Sequence, residues 1–267
     1  MPAPNVSGFS TMRARSYVFR LPLFTRAMIV AIVLFEFLCL QRWWDVRQWG
    51  ALIPDEIGFA TLYRINTFPL IHLNAFHALM NVVALMPLLE RFESEYGTLT
   101  SLALFFGPLT SLPAFIYIGA EKWVLGSNTA VMGASIWVFL LLAMEAVRAS
   151  KVNPYFAIAG TNIPTWTPPL IMVLLMAFLV PSSSALGHFA GLVVGYIGGL
   201  GYVKYLAPPE WALRWIEGKL NLLGRLPHYV SVDQKTYGRF GVLPLTNVAP
   251  APVISPGLIG SNQRLGP

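Results

Sequence analysis

Residues 186–206 read Leu-Gly-His-Phe-Ala-Gly-Leu-Val-Val-Gly-Tyr-Ile-Gly-Gly-Leu-Gly-Tyr-Val-Lys-Tyr-Leu. Two basic residues, His188 and Lys204, stand near the ends of an otherwise apolar run. Its length suffices to cross a bilayer as a helix, which takes about 20 residues. Gly187, Gly191, Gly195, Gly198 and Gly199 would let a neighbouring backbone approach closely. The stretch is a membrane helix with one imidazole just inside its entrance.

The whole chain supports that reading. Of 267 residues, 55% are hydrophobic and only 11% charged, against roughly 25% charged in soluble domains; mean hydropathy is +0.60. An ordinary soluble enzyme, a disordered scaffold and a secreted disulfide module are thereby excluded. The single cysteine, Cys39, can form no internal bridge and no cysteine-cluster metal site. No metal and no cofactor are expected. The net charge of +6 is explained by membrane topology, and no nucleic-acid partner is expected.

Working outward from the last span, the apolar pattern predicts five more: about 23–40, 68–89, 99–119, 130–147 and 169–181, the fifth being the shortest. The expected fold is an all-α membrane protein, a six-transmembrane-helix bundle over 23–206. A segment at 1–22 precedes it, and a tail at 207–267 follows, largely disordered apart from an amphipathic surface helix near Trp211–Leu223. An even span count puts both termini on one side. Only Arg42, Arg47, Arg64 and Lys122 then fall on the other side, so the positive-inside rule places both termini in the cytosol. The glycosylation pattern Asn5-Val6-Ser7 lies on that cytosolic side and is expected to be unused.

Polar residues inside membrane spans are costly and call for a function. Taken singly, a serine after glycine is packing material, and a lone membrane histidine or asparagine is interhelical glue. Here His72, His77 and Asn81 on the second span, Ser135 on the fourth and His188 on the sixth fall at similar depth in the outer leaflet. His77 and Asn81, four residues apart, share a helix face. His72, about 140° away on the same helix, need not. Ser135 is a nucleophile if a base takes its proton, and His188 can do that near neutral pH. Asn81, His77 and the Ser135 amide are candidate donors to an oxyanion. No acid lies at that depth to orient His188, so the chemistry expected is a pair rather than a triad. Glu36, Glu145 and Arg26 are expected to snorkel or pair at the interface rather than do chemistry. A channel would need polar residues along a whole pore, and here they stop in one leaflet.

His72-x4-His77-x3-Asn81, Gly133-Ala134-Ser135 and His188-x2-Gly191-x3-Gly195, in that order, resemble the motifs of the rhomboid family of intramembrane serine proteases. Tyr63-Arg64 stands where that family usually has Trp-Arg, and Glu93-x3-Gly97 is similar to its acid and glycine. The likeness covers about residues 60–200 and is closest to a fungal, Golgi-type subgroup. It implies a rhomboid-like bundle with a water-filled cavity open to the outer side. In it Ser135 is the nucleophile, His188 the base, His77 and Asn81 oxyanion donors, and Phe139 packs beneath His188. Substrates would be single-pass transmembrane proteins in the lipid bilayer, and the location a Golgi or endosomal membrane. Ile136 stands where the family commonly has glycine. Residues 259–266 look like a tail motif that recruits a AAA ATPase segregase; a non-catalytic, client-binding rhomboid-like protein is the alternative function.

Overall fold

The computed structural model describes residues 19–180, 183–220 and 226–236. The Asn5 pattern and the tail motif at 259–266 lie outside the described residues.

Helix α1 is Leu23–Leu38 and the one-turn α2 is Val46–Gly50, capped by Asp45, whose carboxylate accepts from the Gln48 amide. Short turns lead through Arg64–Thr67 to α3, Ala75–Tyr96. The Asn74 side chain caps α3 by accepting from the His77 amide. The helix therefore starts seven residues later than hydrophobicity suggests, and His72 lies in the extended segment before it. The apolar third stretch is also divided. α4, Thr98–Phe105, and α5, Pro108–Gly119, meet at Gly107. Proline lacks an amide hydrogen and pushes the preceding residue out of helical conformation, so the chain turns there. A π-turn at 120–125 extends α5.

Helix α6 is Ser135–Val152. A small antiparallel hairpin follows, β1 Tyr155–Ile158 against β2 Thr161–Pro164, with Tyr155 opposite Pro164. Its two-residue turn, Ala159-Gly160, has positive φ at both positions, the twist that two-residue hairpins favour. Apart from this hairpin, the elements among the described residues are helical, as an all-α membrane protein requires. Helix α7 is Pro168–Leu179 and α8 is Ala185–Ile197. A π-turn through Gly201 (φ +108°) joins α8 to α9, Val203–Leu206, and α10 is Glu210–Lys219. Among the described residues, three continuous helical stretches are long and apolar enough to cross a membrane: 75–96, 98–125 and 185–206. α7 is apolar but shorter.

α6 is the central helix, packed between α3 and α8. Its Trp137 is buried and donates to Thr110 Oγ1 at 2.9 Å. Phe105 meets the Trp137 ring edge-on. Apolar side chains such as Phe37, Phe76, Leu79, Leu174 and Phe178 point outward. Such a surface suits lipid, not water.

At the far end of α3, Glu93 is fully buried and accepts from the amides of Phe24 (2.8 Å) and Thr25 (2.7 Å) and the hydroxyls of Thr25 (2.9 Å) and Thr98 (2.6 Å). One carboxylate thus ties the start of α1 to the α3–α4 corner. Residues 226–236 cross the same end. Leu23 donates to the His228 carbonyl and Thr98 to the Val230 carbonyl, each at 2.9 Å, and Val230 donates back to Thr98 Oγ1 at 2.9 Å. These residues form a strap within a tail that composition predicts to be largely disordered beyond its surface helix. The signal that sets the strap is long-range: its amides pair with a helix corner more than a hundred residues away. The pairings expected of Glu36, Glu145 and Arg26 are present, with Arg47, with Arg91 and Arg148, and with the Phe19 and Leu21 carbonyls.

Candidate active site

Gly133 adopts φ +119°, a conformation that side-chain-bearing residues rarely take. A Cβ there would also lie 2.8 Å from His77 Cε1. This turn ends the loop and starts α6 at Ser135, so the hydroxyl stands on the first turn of a helix, half-buried. The Gly133 amide donates to the Phe68 carbonyl at 2.9 Å and the Ala134 amide to His72 Nε2 at 3.1 Å. The next amide, that of Ser135, has no hydrogen-bond partner among the described residues. A free N–H at a helix N-terminus is suited to hold an anion.

His188 arrives from α8. The Ser184 side chain caps that helix by accepting from the Gly187 amide at 3.1 Å, and places His188 one turn in. Its ring is buried, packs on Phe139 at 4.5 Å between centroids, and sets Nε2 2.9 Å from Ser135 Oγ. Nδ1 has no hydrogen-bond partner among the described residues. Packing on an aromatic face, not a carboxylate, fixes the ring.

The approach of α8 to α6 rests on a stripe of glycines. Gly191, Gly195 and Gly199 face the carbonyls of Ile136, Leu140 and Met144, and a Cβ on any of the three would strike the facing oxygen. Both sets repeat every four residues, so the two helices run in step. Ile136, the residue after the serine, is buried against Gly191. The glycine absorbs its bulk, and the Ser135–His188 contact is kept.

The other expected site residues divide. His77 lies edge-on to His72, centroids 5.2 Å apart, beside Gly133. Asn81 is buried on α3, and its amide nitrogen has no partner among the described residues, which leaves it a free donor. The apolar pattern puts His72 on the helix, where it need not point with His77. Because α3 begins only at residue 75, His72 instead reaches the turn and accepts the Ala134 amide. The Asn74-x2-His77 spacing, a capping signal, places the helix start correctly. Arg47 stands in the sequence as one charge among interfacial aromatics, yet its Nε donates to the His72 carbonyl at 2.9 Å.

Residues 60–205 match the Rhomboid domain family. The chain belongs to the rhomboid family. It is 63% identical to rhomboid-type serine protease 2 of Podospora anserina, with 99% of each chain covered. It is 64% identical to the protein of the same name in Neurospora crassa, over 97% of this chain and 95% of the relative. To rhomboid-type serine protease B of Aspergillus fumigatus it is 58% identical, over 97% and 96%. Within this rhomboid domain Arg64 donates to the Gln48 and Ala51 carbonyls, both at 2.8 Å. It thereby holds α2, which carries Arg47.

Proposed function

We propose that this rhomboid chain is an intramembrane serine endopeptidase that cuts single-pass transmembrane proteins through a Ser135–His188 dyad. The observation that carries the reading is the 2.9 Å contact between two groups from non-adjacent helices, in a chain whose near full-length relatives are named serine proteases. Ser135 Oγ attacks the substrate carbonyl as its proton passes to His188 Nε2. The oxyanion is met by the Ser135 amide, Asn81 and His77. His188 then gives the proton to the leaving amine, and a water activated by the same nitrogen hydrolyses the acyl-enzyme. Retention of the pair argues against a purely client-binding protein. No step needs a metal or cofactor.

Six membrane crossings follow if α1, α3, α4 with α5, α6, α7 and α8 with α9 each span the bilayer. The distribution of Lys and Arg supports cytosolic termini, and the dyad then opens to the outer leaflet. A Golgi or endosomal membrane, and an ATPase docking at 259–266, rest on the sequence likeness alone. In vesicles holding a single-pass substrate, the wild type yields two fragments, and Ser135→Ala and His188→Ala yield none. Cleavage by either variant at the wild-type rate would overturn the proposal.

A further inference from the structure

We propose that Arg47, paired with Glu36, is a positioning residue for the nucleophile, acting through the main chain of His72 on the turn that presents Ser135. The proposal rests on the reading of Ser135 as the nucleophile, and is built on a continuous set of contacts. α2 is docked on the segment before α3. A Cβ on Gly50 would strike Ile71 Cδ1, and Thr67 Oγ1 donates to the Gly50 carbonyl at 3.1 Å. That docking aims Arg47 at His72. Its Nε donates to the His72 carbonyl at 2.9 Å, and its Nη2 lies 3.5 Å from Glu36 Oε1 on α1. On the other side of His72, Nε2 accepts the Ala134 amide at 3.1 Å, so the ring proton sits on Nδ1.

The consequence concerns the amides of the turn. Gly133 and Ala134 have theirs tied to Phe68 and His72, and the amide of Ser135 is the first left unpaired among the described residues. If the His72 main chain shifts, the Ala134 amide loses its fixed acceptor and the turn can rotate. The Ser135 hydroxyl and amide would then leave the line defined by His188. Displacements near ~1 Å at a reacting centre cost on the order of 100-fold in rate. The Arg47–Glu36 pair itself is long and part-exposed, and such pairs add little to stability. Its loss should register in catalysis before it registers in folding.

The test uses the full chain in detergent. It measures the rate of fluorophosphonate labelling, kcat and KM on a transmembrane substrate, and thermal unfolding, for Arg47→Gln, Arg47→Lys and Glu36→Gln. Expected for Arg47→Gln is a roughly tenfold fall in labelling rate and in kcat, with KM and the unfolding temperature close to wild type. Arg47→Lys, which keeps the cation and a donor, should recover most of the rate, and Glu36→Gln should fall between. Wild-type labelling in folded Arg47→Gln, or a loss confined to KM, would overturn the proposal. If Arg47→Gln does not fold, the other two variants decide by the same criteria. Ser135→Ala run alongside separates the two readings. Labelling that survives it removes the nucleophile assignment, whereas silent Ser135→Ala with wild-type rates in the Arg47 and Glu36 variants removes only the role of Arg47.

Discussion

His188 has its Nε2 on Ser135 Oγ and its ring on Phe139, so cutting back the pair and cutting back its aromatic support have different outcomes. Ser135→Ala and His188→Ala should leave no measurable proteolysis. Asn81→Ala removes one donor of several, and kcat should fall about 10- to 100-fold, less than the roughly 10²–10³ lost where one donor dominates. Phe139→Ala should keep the nucleophile but free the imidazole. The expected outcome is a lower kcat with KM little changed, and a loss of about 3–5 kcal/mol of stability from the emptied space. Steady-state kinetics and thermal unfolding of the four variants check these outcomes. At this scale the meeting of Ser135 and His188 was legible from sequence, because polar and titratable side chains gathered at one depth in apolar spans are too costly to keep without a use. The task of His72 was not. It depends on where α3 starts, which the capping side chain of Asn74 sets and hydrophobicity does not.

Between elements, the glycine stripe on α8 decides whether two helices can bring those groups together. Gly195→Val would drive a branched side chain into the Leu140 carbonyl and Ala143. The helices must separate, and the variant should lose fluorophosphonate reactivity even where helical content by circular dichroism is retained. The strap makes a different prediction. Thr98→Val removes the hydroxyl shared by Glu93 and Val230; Glu93 keeps its other donors, but leaving the Val230 amide unmet should cost about 1–3 kcal/mol, read as a lower unfolding temperature. Lys235 also hydrogen-bonds Glu210 at the head of α10. That bond, and next the lysine charge, hold the Glu210 carboxyl below its ordinary value. The tie therefore contributes at neutral pH and fades as pH falls through the lowered value. The glycines were visible in the sequence as a spacing of four. The strap was not, since its bonds are main-chain bonds to a distant helix corner.

As a whole, the molecule is a helical bundle with an apolar girdle, a polar pair set inside one end and a carboxylate-centred knot at the other. Trp211 and Trp215 project from α10 while Leu213 is buried, as expected of a helix lying at the headgroup level. Quenching of tryptophan fluorescence by lipid-borne quenchers should fall in Trp211→Phe plus Trp215→Phe. On the proposed mechanism a substrate helix must expose a carbonyl to Ser135 against the cost of unpaired backbone in lipid. Introducing glycine or proline near the cut should therefore raise kcat/KM. Composition alone made the membrane class legible. The division of the third stretch at Gly107-Pro108 and the hairpin after α6 escape apolar periodicity, which carries no signal between elements; at the first the proline is the local cue. The account's central claim is that Ser135 is made reactive by His188. Its most direct measurement is peptide mapping of the protein after reaction with a fluorophosphonate. The account predicts the adduct on Ser135, none in Ser135→Ala and a sharply slowed reaction in His188→Ala. An adduct on another residue, or undiminished labelling of Ser135→Ala, would contradict it.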